Sequence, residues 1–230
     1  MNKNYGFSFQ NKNADLINSK MKTKIYNKVS QEILNGKIKP GETIIIKDLT
    51  NKYNVSTTPI REALTILENE GVLIKEPYKS YQVKEFSLKE IEKIYEARIA
   101  IETQVVRLAA RRINKQLENK FINILEKSKT TIEKNKFKQF NKYNSNFHFT
   151  IFEAGNNKYL FEMMNNINKQ IILLNYQASY YLEELKEERL KRAYKEHKLV
   201  FEKIRDKNEE KAAKLLEEHL LSSLQRFCND

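Results

Sequence analysis

The sequence predicts a mainly α-helical chain in two parts, a small N-terminal unit of three helices with a short strand and a β-hairpin, then an all-α antiparallel bundle. Three observations predict it. Turn residues are scarce, with 5 Gly and 3 Pro in 230 residues against 31% charged side chains, which leaves little room for an all-β fold. Apolar residues recur at spacings of three and four, the period of a helix with one buried face. β-Branched runs and turn signals fall between Thr43 and Phe86, where the strands are expected.

Residues 1–20 mix Asn and Lys without periodicity and read as a mobile arm. From Met21 to Asn35, Ile25, Val29 and Ile33 mark one face of a helix, which Gly36 stops. Pro40-Gly41 turns the chain into the β-branched run Thr43 to Ile46, and a short helix from Asp48 to Tyr53 follows. After the turn at Asn54, Thr58 is expected to cap a third helix, with Pro59 at its first position, where a missing N–H costs nothing. That helix runs to Gly71 and buries Ile60, Ala63, Leu64 and Leu67, which leaves Thr57, Arg61, Thr65 and Glu68 outward. Leu73 to Glu76 and Tyr81 to Phe86 read as two strands around the basic turn Pro77-Tyr78-Lys79-Ser80. Helix, strand, helix, turn, helix and hairpin in residues 21–86 make a winged helix-turn-helix, whose third helix enters a DNA major groove.

Ser87-Leu88-Lys89-Glu90 is a capping box that opens a new helix and a second domain, residues 87–230. Six helices are expected there, starting near Leu88, Lys115, Lys136, Lys158, Glu183 and Glu209, with Asn208 as cap for the last. The N-terminus has no apolar segment of the kind a secretory signal needs, and Ile171-Ile172-Leu173-Leu174 is far too short to span a bilayer, so a cytoplasmic protein away from membranes is expected. A single cysteine, Cys228, suits a reducing compartment. The net charge of +12 is spread along the chain: residues 1–85 carry 14 Lys/Arg and 9 Asp/Glu, the remainder 28 and 21, so charge alone does not locate a nucleic-acid face.

The stretch from Ile33 to Glu42, then Val55-Ser56, Thr58-Pro59-Ile60-Arg61-Glu62-Ala63-Leu64 and Leu67 to Gly71, closely resembles the winged-helix domain of GntR-family regulators. The C-terminal part resembles the FadR-type, or FCD, effector domain. The resemblance implies a transcription regulator that binds DNA through Thr57, Thr58, Arg61, Thr65, Lys79 and Ser80. The family usually carries Arg where this chain has Thr57 and Thr65, and Gly where Ser80 stands. Arginine forks read guanine at about 1–3 kcal/mol each, so their loss implies an unusual operator, with contacts that Thr can make, including thymine methyls.

All three histidines, His148, His197 and His219, sit on apolar stripes of three separate helices and are expected to point into one interior. Three buried imidazoles without a shared partner would each cost desolvation. In the FCD pattern Asp-x-x-x-His with two later His residues binds a divalent cation. Asn144 stands at the Asp position, four residues before His148, and offers a carbonyl oxygen without charge. The implied site is Asn144, His148, His197 and His219 with zinc or nickel on imidazole preference, manganese being an alternative. Arg98 faces inward on the stripe of Ile94, Ile101 and Glu102. The resemblance implies that it binds a small carboxylate effector, and an ion pair with Glu102 one turn away is the competing role. Two other functions stand beside the effector-controlled regulator: a metal-responsive regulator without organic effector, and a metal-dependent hydrolase. The hydrolase lacks a base aimed at the metal, because Glu196 and Glu218 precede His197 and His219 and adjacent helical residues diverge by about 100°. A homodimer on an inverted repeat of double-stranded DNA is the expected assembly.

Overall fold

The computed structural model describes residues 20–76, 80–134, 137–181, 186–225 and 227, and among them the chain is mainly helical with one small sheet. Lys79, Cys228, residues 1–19 and the expected helix starts at Lys136 and Glu183 lie outside the described residues. Two compact units divide at Phe86 and Ser87.

The N-terminal unit begins with α1 (Lys20–Leu34), whose Ile25, Val29 and Ile33 are almost fully buried, as their four-residue spacing requires. Gly36 then takes φ +74°, a left-handed conformation that a Cβ would strain. Strand β1 (Thr43–Ile45) leads directly into α2 (Ile46–Tyr53), two residues earlier than Asp48. α3 (Thr57–Asn69) buries Ile60, Ala63, Leu64 and Leu67. Its N-cap is Ser56, not Thr58, and Pro59 is the third helical residue. The first N–H groups of a helix all lack intrahelical partners, so the ring is as harmless there as at the first position. β2 (Leu73–Glu76) and β3 (Ser80–Val83) pair antiparallel with Leu73 opposite Val83, and β1 adds to the far side of β3 with Ile44 opposite Tyr81.

The second unit contains α4 (Leu88–Arg112), α5 (Lys115–Glu133), α6 (Phe137–Gly155), α8 (Lys186–Arg205) and α9 (Glu209–Gln225). α7 (Lys158–Tyr181) is continuous, but its residues Ile167–Gln177 group with the N-terminal elements, where Leu173 joins the core of Ile33, Ile60 and Leu67. In that unit Tyr26 donates to Glu70 at 2.7 Å, and Lys169 of α7 donates to the Tyr26 hydroxyl at 3.2 Å.

The capping box forms: the Ser87 hydroxyl accepts from the Glu90 N–H, and the Glu90 carboxylate accepts from the Ser87 N–H. Asn208 caps α9 by accepting from the Lys211 N–H at 3.1 Å. α4 packs against α6, α8 and α9, and α8 packs against α4, α5, α6 and α9. Gly155 makes the α4–α6 crossing tight, since a Cβ there would lie 2.7 Å from a Val105 methyl. This close approach sets the histidine of α6 against the buried charges of α4.

Candidate DNA-reading face and buried histidine cluster

The four threonine and arginine positions of the expected reading face all lie on α3, away from its buried stripe. Thr57, Thr58, Arg61 and Thr65 are exposed. Thr58, Arg61 and Thr65 follow one another at helical spacing, so one strip of the helix carries them. The Thr65 hydroxyl lies 3.4 Å from that of Tyr81 in β3, which ties the helix to the hairpin. Ser80 opens β3, half-buried opposite Glu76 and Ile45.

The second feature is a buried polar cluster in the helical unit. His148 of α6, His197 of α8 and His219 of α9 are buried, and one ring nitrogen from each lies within 4.8 Å of the others. His197 Nε2 and His219 Nε2 are 3.2 Å apart. Two nitrogens on one metal at ~2.1 Å with a near-tetrahedral angle stand about 3.4 Å apart, so this pair already has the spacing of neighbouring ligands. Phe147 stacks on His197 at 4.1 Å and closes an apolar wall over the cluster.

Charges behind the rings decide which nitrogen is available. Glu102 of α4 is fully buried and divides its carboxylate: Oε1 accepts from Arg98 Nε at 2.5 Å, and Oε2 lies 2.6 Å from His148 Nδ1. Burial alone would raise the Glu102 pKa, but Arg98 and then His148 outweigh it and hold the group down at about 2. Burial lowers the His148 pKa to about 4 against the pull of Glu102. At neutral pH an ionised carboxylate therefore faces a neutral imidazole, and the shared proton belongs on Nδ1. His148 Nε2 is left as a lone pair, and it is buried with no hydrogen-bond partner. On the far side of the cluster, the Glu196 carboxylate lies 2.6 Å from His219 Nδ1.

An orphaned acceptor beside two further imidazole nitrogens is a donor set that a cation such as zinc or nickel suits. Asn144 lies one turn before His148, on the same face of α6, and is half-buried. Arg98 is buried at 4% exposure, and its guanidinium lies over the Tyr95 ring at 5.6 Å. Burial disfavours its charge, yet Glu102 raises its pKa above the usual value, so it stays cationic. The expected ion pair with Glu102 is present. Glu196 is the residue that helical spacing missed: it diverges from His197 on its own helix but reaches the outer edge of a ring on the next.

Residues 21–83 match the family of bacterial regulatory proteins named gntR, and residues 93–222 match the FCD domain. The chain is 28% identical over 211 residues to the HTH-type transcriptional regulator YdhC of Bacillus subtilis, across 88% of this chain and 87% of that one. It is 31% identical over 180 residues to the gluconate operon transcriptional repressor of Bacillus licheniformis, across 77% and 68%. Its fold is similar to that of McbR/YncC of E. coli, with a TM-score of 0.75 at 24% identity over 92% of this chain and all of that one. No helix among the described residues is long and apolar enough to cross a membrane. With both family models matched in order, the chain belongs to the GntR family and carries an FCD domain: it is a DNA-binding transcription regulator, in a family of regulators rather than enzymes.

Proposed function

We propose that this cytoplasmic regulator binds an inverted-repeat operator as a homodimer, and that a small acidic metabolite, bound beside a divalent metal in the helical domain, controls its affinity. Residues 21–86 read the DNA, with Arg61, Thr57, Thr58 and Thr65 toward the bases and Lys79 and Ser80 as further DNA contacts. Residues 87–230 bind the effector and pair the subunits. A single recognition helix reads only a few base pairs, so two related by a twofold axis supply the length of site that specificity needs.

The observation that carries the regulatory half is the His148 Nε2 lone pair, buried without a partner among two more imidazoles. Asn144, His148, His197 and His219 would hold the metal, with zinc or nickel favoured by the nitrogen-rich set. When bound, the ion supplies a positive charge that four neutral ligands leave uncancelled, which favours an anion nearby. Arg98 supplies a planar fork for a carboxylate, and the effector would exchange with Glu102 for it. One relative is named for a gluconate operon, and gluconate is itself a small carboxylate. Occupation of the site biases how the six helices pack, and through them the paired reading heads, which is the content of allosteric coupling.

A metal-responsive regulator without organic effector is favoured by one observation, the 2.5 Å contact through which Glu102 already satisfies Arg98. Metal analysis of protein purified without chelator or nickel column, beside thermal shifts with a panel of carboxylic acids, separates the two. The effector reading expects bound zinc or nickel and a carboxylate that raises the melting temperature. Bound metal with no response to any acid favours the second reading, and metal-free protein whose stability ignores added zinc contradicts both.

A further inference from the structure

Four neutral donors around a dication leave its charge uncompensated in the ligand shell, and the cluster places two carboxylates on the far side of the imidazole rings. We propose that Glu102 and Glu196 are positioning residues of the metal site, each holding a ligating imidazole by its Nδ1 proton so that its Nε2 lone pair faces the ion. This rests on the metal reading above and adds residues to it.

Two contacts of equal length carry the inference. Glu102 Oε2 stands 2.6 Å from His148 Nδ1, and Glu196 Oε2 stands 2.6 Å from His219 Nδ1. A carboxylate on one ring nitrogen fixes the tautomer, fixes the ring plane and makes the other nitrogen a stronger donor. Here His148 and His219 each have such a partner, one supplied by α4 and one by α8. The His219 ring is bracketed by consecutive residues of α8: Glu196 meets Nδ1 while His197 Nε2 lies 3.2 Å from its Nε2. Carboxylates behind two of the ligating rings would compensate part of the dication's charge without a carboxylate in direct contact with it.

Glu196 carries the test, because its side chain is a quarter exposed and stands at the outer edge of the cluster, whereas Glu102 is fully buried against Arg98. Full-length protein with 15N-labelled histidine is stripped of metal, and the His219 tautomer is read from its long-range 1H–15N spectrum, in the natural protein, Glu196→Gln and Glu196→Leu. Zinc affinity is then measured by competition with a chelator. The natural protein is expected to hold the proton on Nδ1. Glu196→Leu should release His219 into a mixture with the Nε2–H tautomer and weaken zinc 10- to 100-fold, the usual effect of losing an outer partner. Glu196→Gln still offers an oxygen to Nδ1–H, so it should restore the tautomer while retaining a smaller loss of affinity from the missing charge. It also serves if the leucine variant does not fold. A role in packing alone would leave the His219 tautomer unmoved. An unchanged tautomer in Glu196→Leu, or zinc affinity equal to the natural protein's in both variants, overturns the proposal. A natural protein that takes up no zinc while Glu196→Leu does alter the tautomer overturns instead the metal reading on which it rests.

Discussion

Replacing Glu102 by Met keeps most of the side-chain volume in the centre of the bundle and removes its charge. The consequence follows from what it touches. Arg98, 4% exposed, would lose the partner at 2.5 Å and keep its guanidinium away from water, since arginine does not deprotonate in proteins. Removing one partner of a buried ion pair costs roughly 3–5 kcal/mol. The Nδ1–H of His148 would lose its acceptor as well, at about 1–3 kcal/mol for a buried unsatisfied donor. The sum, on the order of 4–8 kcal/mol, is comparable with the whole stability of an ordinary domain. Arg98→Met in the same chain removes the orphaned charge, so the double variant should recover more than about 2 kcal/mol of the loss and leave chiefly the His148 term. Urea unfolding of metal-stripped full-length protein at pH 7, followed by far-UV circular dichroism, measures both. A loss below about 1 kcal/mol in Glu102→Met, or a double variant weaker than either single one, would mean that Glu102 does not compensate the buried Arg98 charge.

Arg61→Ala should weaken specific operator binding by about 1–3 kcal/mol per half-site while leaving the melting temperature unchanged, because the side chain is exposed on α3. Fluorescence anisotropy on a selected operator checks this, and undiminished affinity would remove α3 from the reading role. Metal-stripped protein should lose stability as pH falls from about 6.5. Unfolded His148 takes up a proton near its usual value, whereas the buried ring resists until about 4, so the unfolded state binds more protons across that window. The loss at pH 5 is about 2 kcal/mol, and a flat urea-midpoint profile between pH 7 and 5 would contradict it. Asn144→Asp should tighten metal retention by returning one negative charge to the ligand set, to be seen as slower loss of zinc to a chelator, and faster loss would count against Asn144 as a ligand.

Much of this architecture is legible in residue spacing. Ile25, Val29 and Ile33 fix α1, and the Ser87–Glu90 box marks where α4 begins. Stripes around His148, His197 and His219 predict three imidazoles in one interior, because a side chain on an apolar face of each bundle helix has nowhere else to point. What escapes is whatever depends on the neighbouring helix. Glu196 turns away from the direction of His197 on its own helix, and only the placement of α9 puts the His219 ring beyond it. The split of Glu102 between Arg98 and His148 likewise depends on α6 crossing α4 closely at Gly155. α3 starts after Ser56 rather than Thr58 although Ser56, Thr57 and Thr58 are all residue types that suit an N-cap, and Pro59 in the first turn permits either start. α7 has the spacing of one uninterrupted helix, and nothing in its sequence marks where its neighbours change at Ile167.

In the proposed function, metal, acid and DNA occupy one linked equilibrium. Operator affinity measured with and without the carboxylic acid that most raises the melting temperature, in zinc-loaded natural protein and in His197→Ala, tests it directly. The natural protein should change its operator affinity by 5- to 150-fold on addition of the acid, the usual range of allosteric coupling. His197→Ala should retain no zinc and bind the operator with an affinity that the acid leaves unchanged. A metal-free His197→Ala protein that responds to the acid as the natural protein does would contradict the account and assign the three histidines to packing of the bundle core.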